Sequence, residues 1–181
     1  MTKYKKILFF IIVAAQLTVL GSMIFKQEKL LSGGTKIILK CVPVDPRSLF
    51  SGDYVILRYE ITNIDTEKLK VKTGISFSMD QTIYVALEKD ASDSHYNAAE
   101  VSTDIKSLSG RYPAVIRGNV EYTYDNSIYV RYGVENYFVP QNKGHYIEAN
   151  MDSTTVEVSI DEKGNSAISR LFVKDSEVVF Y

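Results

Sequence analysis

A mainly β body, an antiparallel sandwich or partly open barrel with minor helix, preceded by one N-terminal transmembrane helix, is the architecture this sequence predicts. Three observations predict it. Residues 7–25 carry no charge, several runs after residue 36 alternate apolar with polar side chains, and turn-forming residues separate those runs at intervals of about ten. The expected organisation is a basic tail at 1–6, a membrane-spanning segment at 7–25, a short linker at 26–35 and one β domain at 36–181.

The totals bound the function. A chain of 181 residues that is 45% hydrophobic and 24% charged has enough apolar material for a core without staples. Its single cysteine, Cys41, forms no internal disulfide, and with His95 and His145 as the two histidines it builds no zinc site. Formal charge is −1, and Lys3, Lys5 and Lys6 precede the apolar segment, so the remainder carries −4. A mildly acidic body without a basic run in its sequence argues against nucleic acid as partner.

Taken in order, residues 7–25 make a helix of about 28 Å, close to the thickness of a bilayer's hydrocarbon core. Three lysines before it leave the N-terminus cytoplasmic and send the rest of the chain across, as a single-pass protein of the cell membrane with an extracytoplasmic C-terminal domain. Val13-Ala14-Ala15 has the small-residue form of a signal cleavage site, but a cut there leaves an N-terminus still apolar to Phe25, so an uncleaved anchor is the expectation. Residues 27–35 are polar and end in Gly33-Gly34, which reads as a flexible link. Ile37, Leu39 and Cys41 then alternate with lysines as a first strand, with Cys41 on its apolar side as a buried, inert thiol.

Pro43 and Pro46 end that strand, Asp45 before Pro46 starts a turn, and Gly52 takes the corner before a second alternating strand. In it Val55, Leu57, Tyr59 and Ile61 share one face, and Tyr54, Ile56, Arg58 and Glu60 the other. Gly52-Asp53-Tyr54-Val55-Ile56-Leu57-Arg58-Tyr59 matches in full the motif of the bacterial GDYXXLXY family. The lead-in Pro43-Val44-Asp45-Pro46-Arg47, the block Val115-Ile116-Arg117-Gly118 and the block from Tyr132 to Pro140 are also similar to that family. In place of the family's acidic residue after Pro140 this chain has Gln141. The resemblance implies a membrane-anchored protein of unassigned function, often encoded beside multi-pass membrane proteins, and it supplies no reaction.

Beyond Ile61 the chain reads as a polar connection with one helical turn around 65–69, then a strand at 82–88. The loop 89–95 holds Asp90, Asp93 and His95, which lack the glycine and late glutamate of a calcium loop. The segment 96–108 mixes helical spacing with β-branched residues. Runs at 114–124 and 128–139, joined by Asp125-Asn126-Ser127, form a hairpin whose long second strand carries a bulge at Gly133. Asn142-Lys143-Gly144 makes a turn, 154–160 is a strand, 161–165 turns the chain, and 167–173 and 178–181 close the sheet. The strand tyrosines Tyr122, Tyr124, Tyr129, Tyr132 and Tyr137 read as sheet-packing residues, with an aromatic surface for sugar or peptide as the alternative.

Chemistry was sought at the corner. An anchor followed by Gly-Asp-x-Val and a strand resembles type I signal peptidases, but the position eight residues before Gly52, where their serine stands, is Val44, and Arg58 is too basic to act as a base. The expectation is therefore a non-enzymatic accessory or binding module, with Asp45, Arg47, Asp53, Tyr54, Arg58 and Tyr59 as candidate binding residues. A membrane-tethered hydrolase, peptidase-like or carbohydrate-active, is the alternative at residues 45–60. The expected partners are membrane lipid along residues 7–25 and a multi-pass membrane protein, with no cofactor, metal or nucleic acid.

Overall fold

A computed structural model of the chain describes residues 3–43, 54–71, 77–91, 93–141 and 143–180. Residues 44–53, where the sequence predicts a turn and which hold the candidates Asp45, Arg47 and Asp53, lie outside the described residues.

Helix α1 runs without a break over Lys3–Gly33, longer than the apolar segment alone. It is long and apolar enough to cross a membrane, and its most apolar window makes no contact with the β body. The linker foreseen at 26–35 is largely the end of this helix. Lys26, Gln27, Glu28, Lys29, Leu30 and Leu31 are all good helix formers without an intervening proline, and Ser32 Oγ donates to the Glu28 carbonyl at 2.7 Å. Gly34 is a seat for the helix end, not a hinge: its N–H donates to the Leu30 carbonyl at 3.0 Å, and Ser159 Oγ donates to the same oxygen at 2.6 Å.

The body follows as β1 (Thr35–Lys40), β2 (Tyr54–Ile56), β3 (Asn63–Asp65), β4 (Lys70–Val71), β5 (Thr82–Lys89) and β6 (Tyr96–Ser102). After them come β7 (Ala114–Tyr124), β8 (Ser127–Arg131), β9 (Asn136–Phe138), helix α2 (Gly144–Glu148), β10 (Thr154–Ile160), β11 (Ser166–Val173) and β12 (Ser176–Glu177). One sheet has the order β1-β10-β11-β12 and a larger one the order β3-β8-β7-β5-β6-β4, antiparallel except where β4 meets β6, with the ribbon β2-β9 between them. The sheets curl into a nearly closed, barrel-like wall. Alternation sets the inner face: Ile37, Leu39, Val55, Leu57, Ile83, Val85, Leu87, Ile116, Val156, Val158 and Leu171 are buried in one continuous core. Cys41 is on that inner face as expected, and burial pushes its thiol up to about 12, so it stays protonated.

Other elements differ from the sequence expectation for local reasons. The helical turn at 65–69 is a single i to i+4 bond, Leu69 N–H to the Asp65 carbonyl at 3.2 Å, after β3. Residues 96–108 resolve into β6 and a short 3-10 turn at Ile105–Ser107 capped by Asp104, whose carboxylate accepts the Lys106 N–H. Gly144 begins helix α2 where a turn was foreseen, and the last strand is Ser176–Glu177, not 178–181.

On the outer side of the first sheet, Glu157 is buried between Lys36, with Nζ at 3.3 Å, and Arg170, with Nη2 at 2.5 Å. The Arg170 guanidinium, with help from Lys36, holds the Glu157 carboxyl below its ordinary value of 4.5. A carboxylate depressed in the folded state stabilises fully above its unfolded value and loses that contribution as pH falls through the lower, folded one. Thermal unfolding is expected to soften below about pH 4.5 in the wild type. In Glu157→Gln part of that acid sensitivity should vanish; identical pH profiles would contradict the linkage.

Candidate functional site

The stretch matched to the GDYXXLXY motif enters the described structure at Tyr54, and the alternation read from it holds: Val55, Leu57, Tyr59 and Ile61 are buried, while Tyr54, Ile56, Arg58 and Glu60 are exposed. Instead of one uninterrupted strand, though, it forms half of a ribbon that opens and closes again. Tyr54 pairs with Phe138 and Ile56 with Asn136, and further along Asn63 pairs with Tyr129 and Asp65 with Ser127. The pairing on either side of the gap keeps one register. Leu57 is still tied to Glu135, and five residues on each strand, 58–62 and 130–134, then part company without any slip between the strands.

The parting has a cause on each side. Residues 58 and 59 turn to the first sheet, where Tyr59 makes a bridge with Cys41 and the Val42 N–H donates to the Arg58 carbonyl at 2.8 Å. The chain then tightens into a 3-10 turn at Glu60–Thr62. On the facing strand Gly133 adopts φ +82°, open to glycine and strained for a β-branched residue, and β8 ends just before it, at Arg131, instead of bulging and continuing into β9. Glu135 clips that turn: its carboxylate accepts the Tyr132 N–H at 2.5 Å and the Gly133 N–H at 2.9 Å, while its carbonyl accepts the Leu57 N–H at 2.7 Å.

Two tyrosines bridge the opening. Tyr59 Oη donates to the Val134 carbonyl at 2.5 Å, and Tyr132 Oη donates to the Ile61 carbonyl at 2.6 Å. Each phenol thus crosses to the opposite strand and satisfies a carbonyl that the interrupted ladder leaves without its usual partner. Both side chains are buried, and burial pushes both phenols well above their ordinary value, so they are fixed neutral donors. Chemically, the opening holds two neutral phenols, a protonated thiol at Cys41 and the Glu135 carboxylate, which is taken up by the Tyr132 and Gly133 N–H groups.

Of the candidate binding residues, Tyr59 therefore sits in the core as a brace. Tyr54 and Arg58 face outward. Tyr54 packs edge-on to Phe138, with centroids 6.4 Å apart, and with Ile56 they leave an apolar tip on the ribbon: Phe138 is 77% exposed, Tyr54 38% and Ile56 37%. Phe138 was not foreseen, because in sequence it reads as one more strand aromatic, and only the cross-strand pairing brings it beside Tyr54. Arg58 lies further along the same outward side, near enough to Tyr122 to act on its phenol. In the loop after β5, Asp93 and His95 pair with each other, Oδ2 to Nδ1 at 2.7 Å, and Asp90 accepts the Asn97 amide at 2.9 Å. Among the described residues no group of three His, Cys, Asp or Glu is arranged to hold a metal ion.

No curated protein and no solved structure matches the chain. The sequence profile of the family described as GDYXXLXY protein matches residues 16–171, from within α1 to the last residues of β11. The match takes in both strands of the divided ribbon and most of the body, so the chain belongs to the GDYXXLXY family.

Proposed function

We propose that this protein is a membrane-anchored accessory module: α1 crosses the bilayer with Lys3, Lys5 and Lys6 on the cytoplasmic side, and the β body docks outside it on a multi-pass membrane protein. The observation that carries the reading is the exposed apolar tip of the ribbon, Tyr54, Ile56 and Phe138. An exposed aromatic cluster on an otherwise polar rim is the type of surface that anchors a protein contact. The firm seat of α1 on β10 supports it too, since a body fixed to its anchor presents that tip in a restricted set of positions.

The test is co-purification from membranes in mild detergent. The wild type is expected to bring down one integral membrane protein, and Tyr54→Ala with Phe138→Ala is expected to lose it while the body stays folded. A pull-down without any integral membrane protein, or one unaffected by the double variant, would refute the docking reading.

A further inference from the structure

The outer side of the larger sheet is covered at one end and open at the other. At the covered end Leu108 lies over Ala86 and Val115, with Tyr84, Ile105 and Tyr112 around it, and Glu100 is held there by Arg111 Nη2 at 2.7 Å and Tyr112 Oη at 2.7 Å. Beyond Tyr84 the register lines up two outward rows. Thr82 pairs with Asn119 and Asn119 with Arg131; Tyr122 pairs with Tyr129 and Tyr129 with Asn63. Arg117, opposite Tyr84, adjoins the first row, and the exposed Arg58, five residues before Asn63, is close enough for its charge to act on Tyr122 in the second.

Arginine is distributed unevenly over this molecule. Arg111 and Arg170 are bound to Glu100 and Glu157. Arg58, Arg117 and Arg131 have no ion pair among the described residues, all three are exposed, and all three belong to this face. Among these rows stand two acids, Glu121 in the bulge between Val120 and Tyr122 and, two residues along β3 from Asn63, Asp65, which is bound to Lys68. A body whose sequence sums to an acidic charge thus collects the unpaired guanidinium groups of its described residues in one place, which biases the face toward anions.

The side chains between the arginines narrow the choice of anion. Tyr122 and Tyr129 stack with centroids 4.2 Å apart at 19°, and Tyr122 is 43% exposed. Thr82 Oγ1 donates to Asn119 Oδ1 at 3.1 Å, and Asn63 Nδ2 donates to Tyr129 Oη at 3.4 Å, so amides and hydroxyls fill the gaps. Around Tyr129, β8 is hydrogen-bonded on both sides, to β7 and to β3, so no added peptide strand finds backbone partners beside it, and recognition there runs through side chains. Ring faces for sugar C–H groups, amides and hydroxyls for sugar hydroxyls, and guanidinium groups for carboxylate or phosphate are the complement of a charged saccharide. We propose that this face, Arg58, Arg117, Arg131, Tyr122, Tyr129 and Asn63, binds an extended anionic polysaccharide, independently of the protein docking at the ribbon tip.

The experiment uses the full chain in detergent micelles and measures binding to polygalacturonate, with polyglutamate, neutral dextran, oligo-dT and phosphatidylglycerol vesicles as competing probes. Polygalacturonate is expected to bind in preference to all four. The triple variant Arg58→Gln, Arg117→Gln, Arg131→Gln should weaken it by about tenfold or more, given the strength of guanidinium–carboxylate bonds. Tyr122→Ala should weaken it as well, and Tyr122→Phe, which keeps the ring, should do so far less. Binding of polyglutamate, oligo-dT or the vesicles as tightly as polygalacturonate would overturn the proposal. An undiminished affinity in the triple variant would overturn it too, and so would equal affinities of Tyr122→Ala and Tyr122→Phe.

Discussion

Tyr59→Ala is expected to destabilise the β body by about 3–5 kcal/mol, the loss usual for emptying a large buried side chain. The ring is 1% exposed, so its removal leaves a cavity at the junction of two sheets. It also strips the Val134 carbonyl of its donor where the ribbon has no ladder bond to replace it. Tyr59→Phe keeps the packing and isolates the hydroxyl, and should cost about 1–2 kcal/mol; Tyr132→Phe should cost a similar amount through Ile61. Because each phenol secures the strand that carries the other, the double Phe variant is expected to deviate from additivity. Denaturant unfolding of the detergent-solubilised chain, followed by circular dichroism, measures all three, and a Tyr59→Ala variant within about 0.5 kcal/mol of wild type would show that the brace is unimportant.

Gly34→Ala is the second large effect. A Cβ at that position would stand 2.3 Å from Ser159 Oγ, 2.7 Å from the Leu30 carbonyl oxygen and 2.9 Å from the Ile160 carbonyl oxygen. The serine can rotate away, but the two carbonyls are backbone, so the helix end and β10 must separate. The expected result is a loss of about 1–3 kcal/mol together with release of α1 from its seat, as overpacking forces a backbone shift. Spin labels on the last turns of α1 and on β11 should report a narrow distance distribution in the wild type and a broad one in the variant. An unchanged distribution would mean that the helix end is not locked by this contact.

The architecture was legible because strand alternation and turn chemistry are local. Ile37, Leu39 and Cys41, or Val55, Leu57 and Tyr59, declare their inward face without reference to any partner. The apolar segment was equally plain, but its continuation to Gly33 was hidden by Gly33-Gly34, which read as flexibility where Gly34 in fact supplies a lack of bulk. The end of β8 before Gly133 was half visible: the glycine marked an irregularity, but its consequence depends on Cys41 drawing Tyr59 to the other sheet, a contact between distant parts of the chain. The outer face was not legible at all. Arg58, Arg117 and Arg131 are far apart in sequence with no basic run among them; sheet order and register bring Arg117 and Arg131 together, and the chain leading into β3 carries Arg58. Likewise Phe138 joins Tyr54 only through pairing of β2 with β9.

The docking reading is tested most directly by a photo-cross-linking amino acid placed at position 138 in intact cells, with position 179 as a control of comparable exposure elsewhere on the body. The account predicts an adduct with an integral, multi-pass membrane protein from position 138 and none from position 179. No adduct at 138, or the same adduct from both positions, would contradict it.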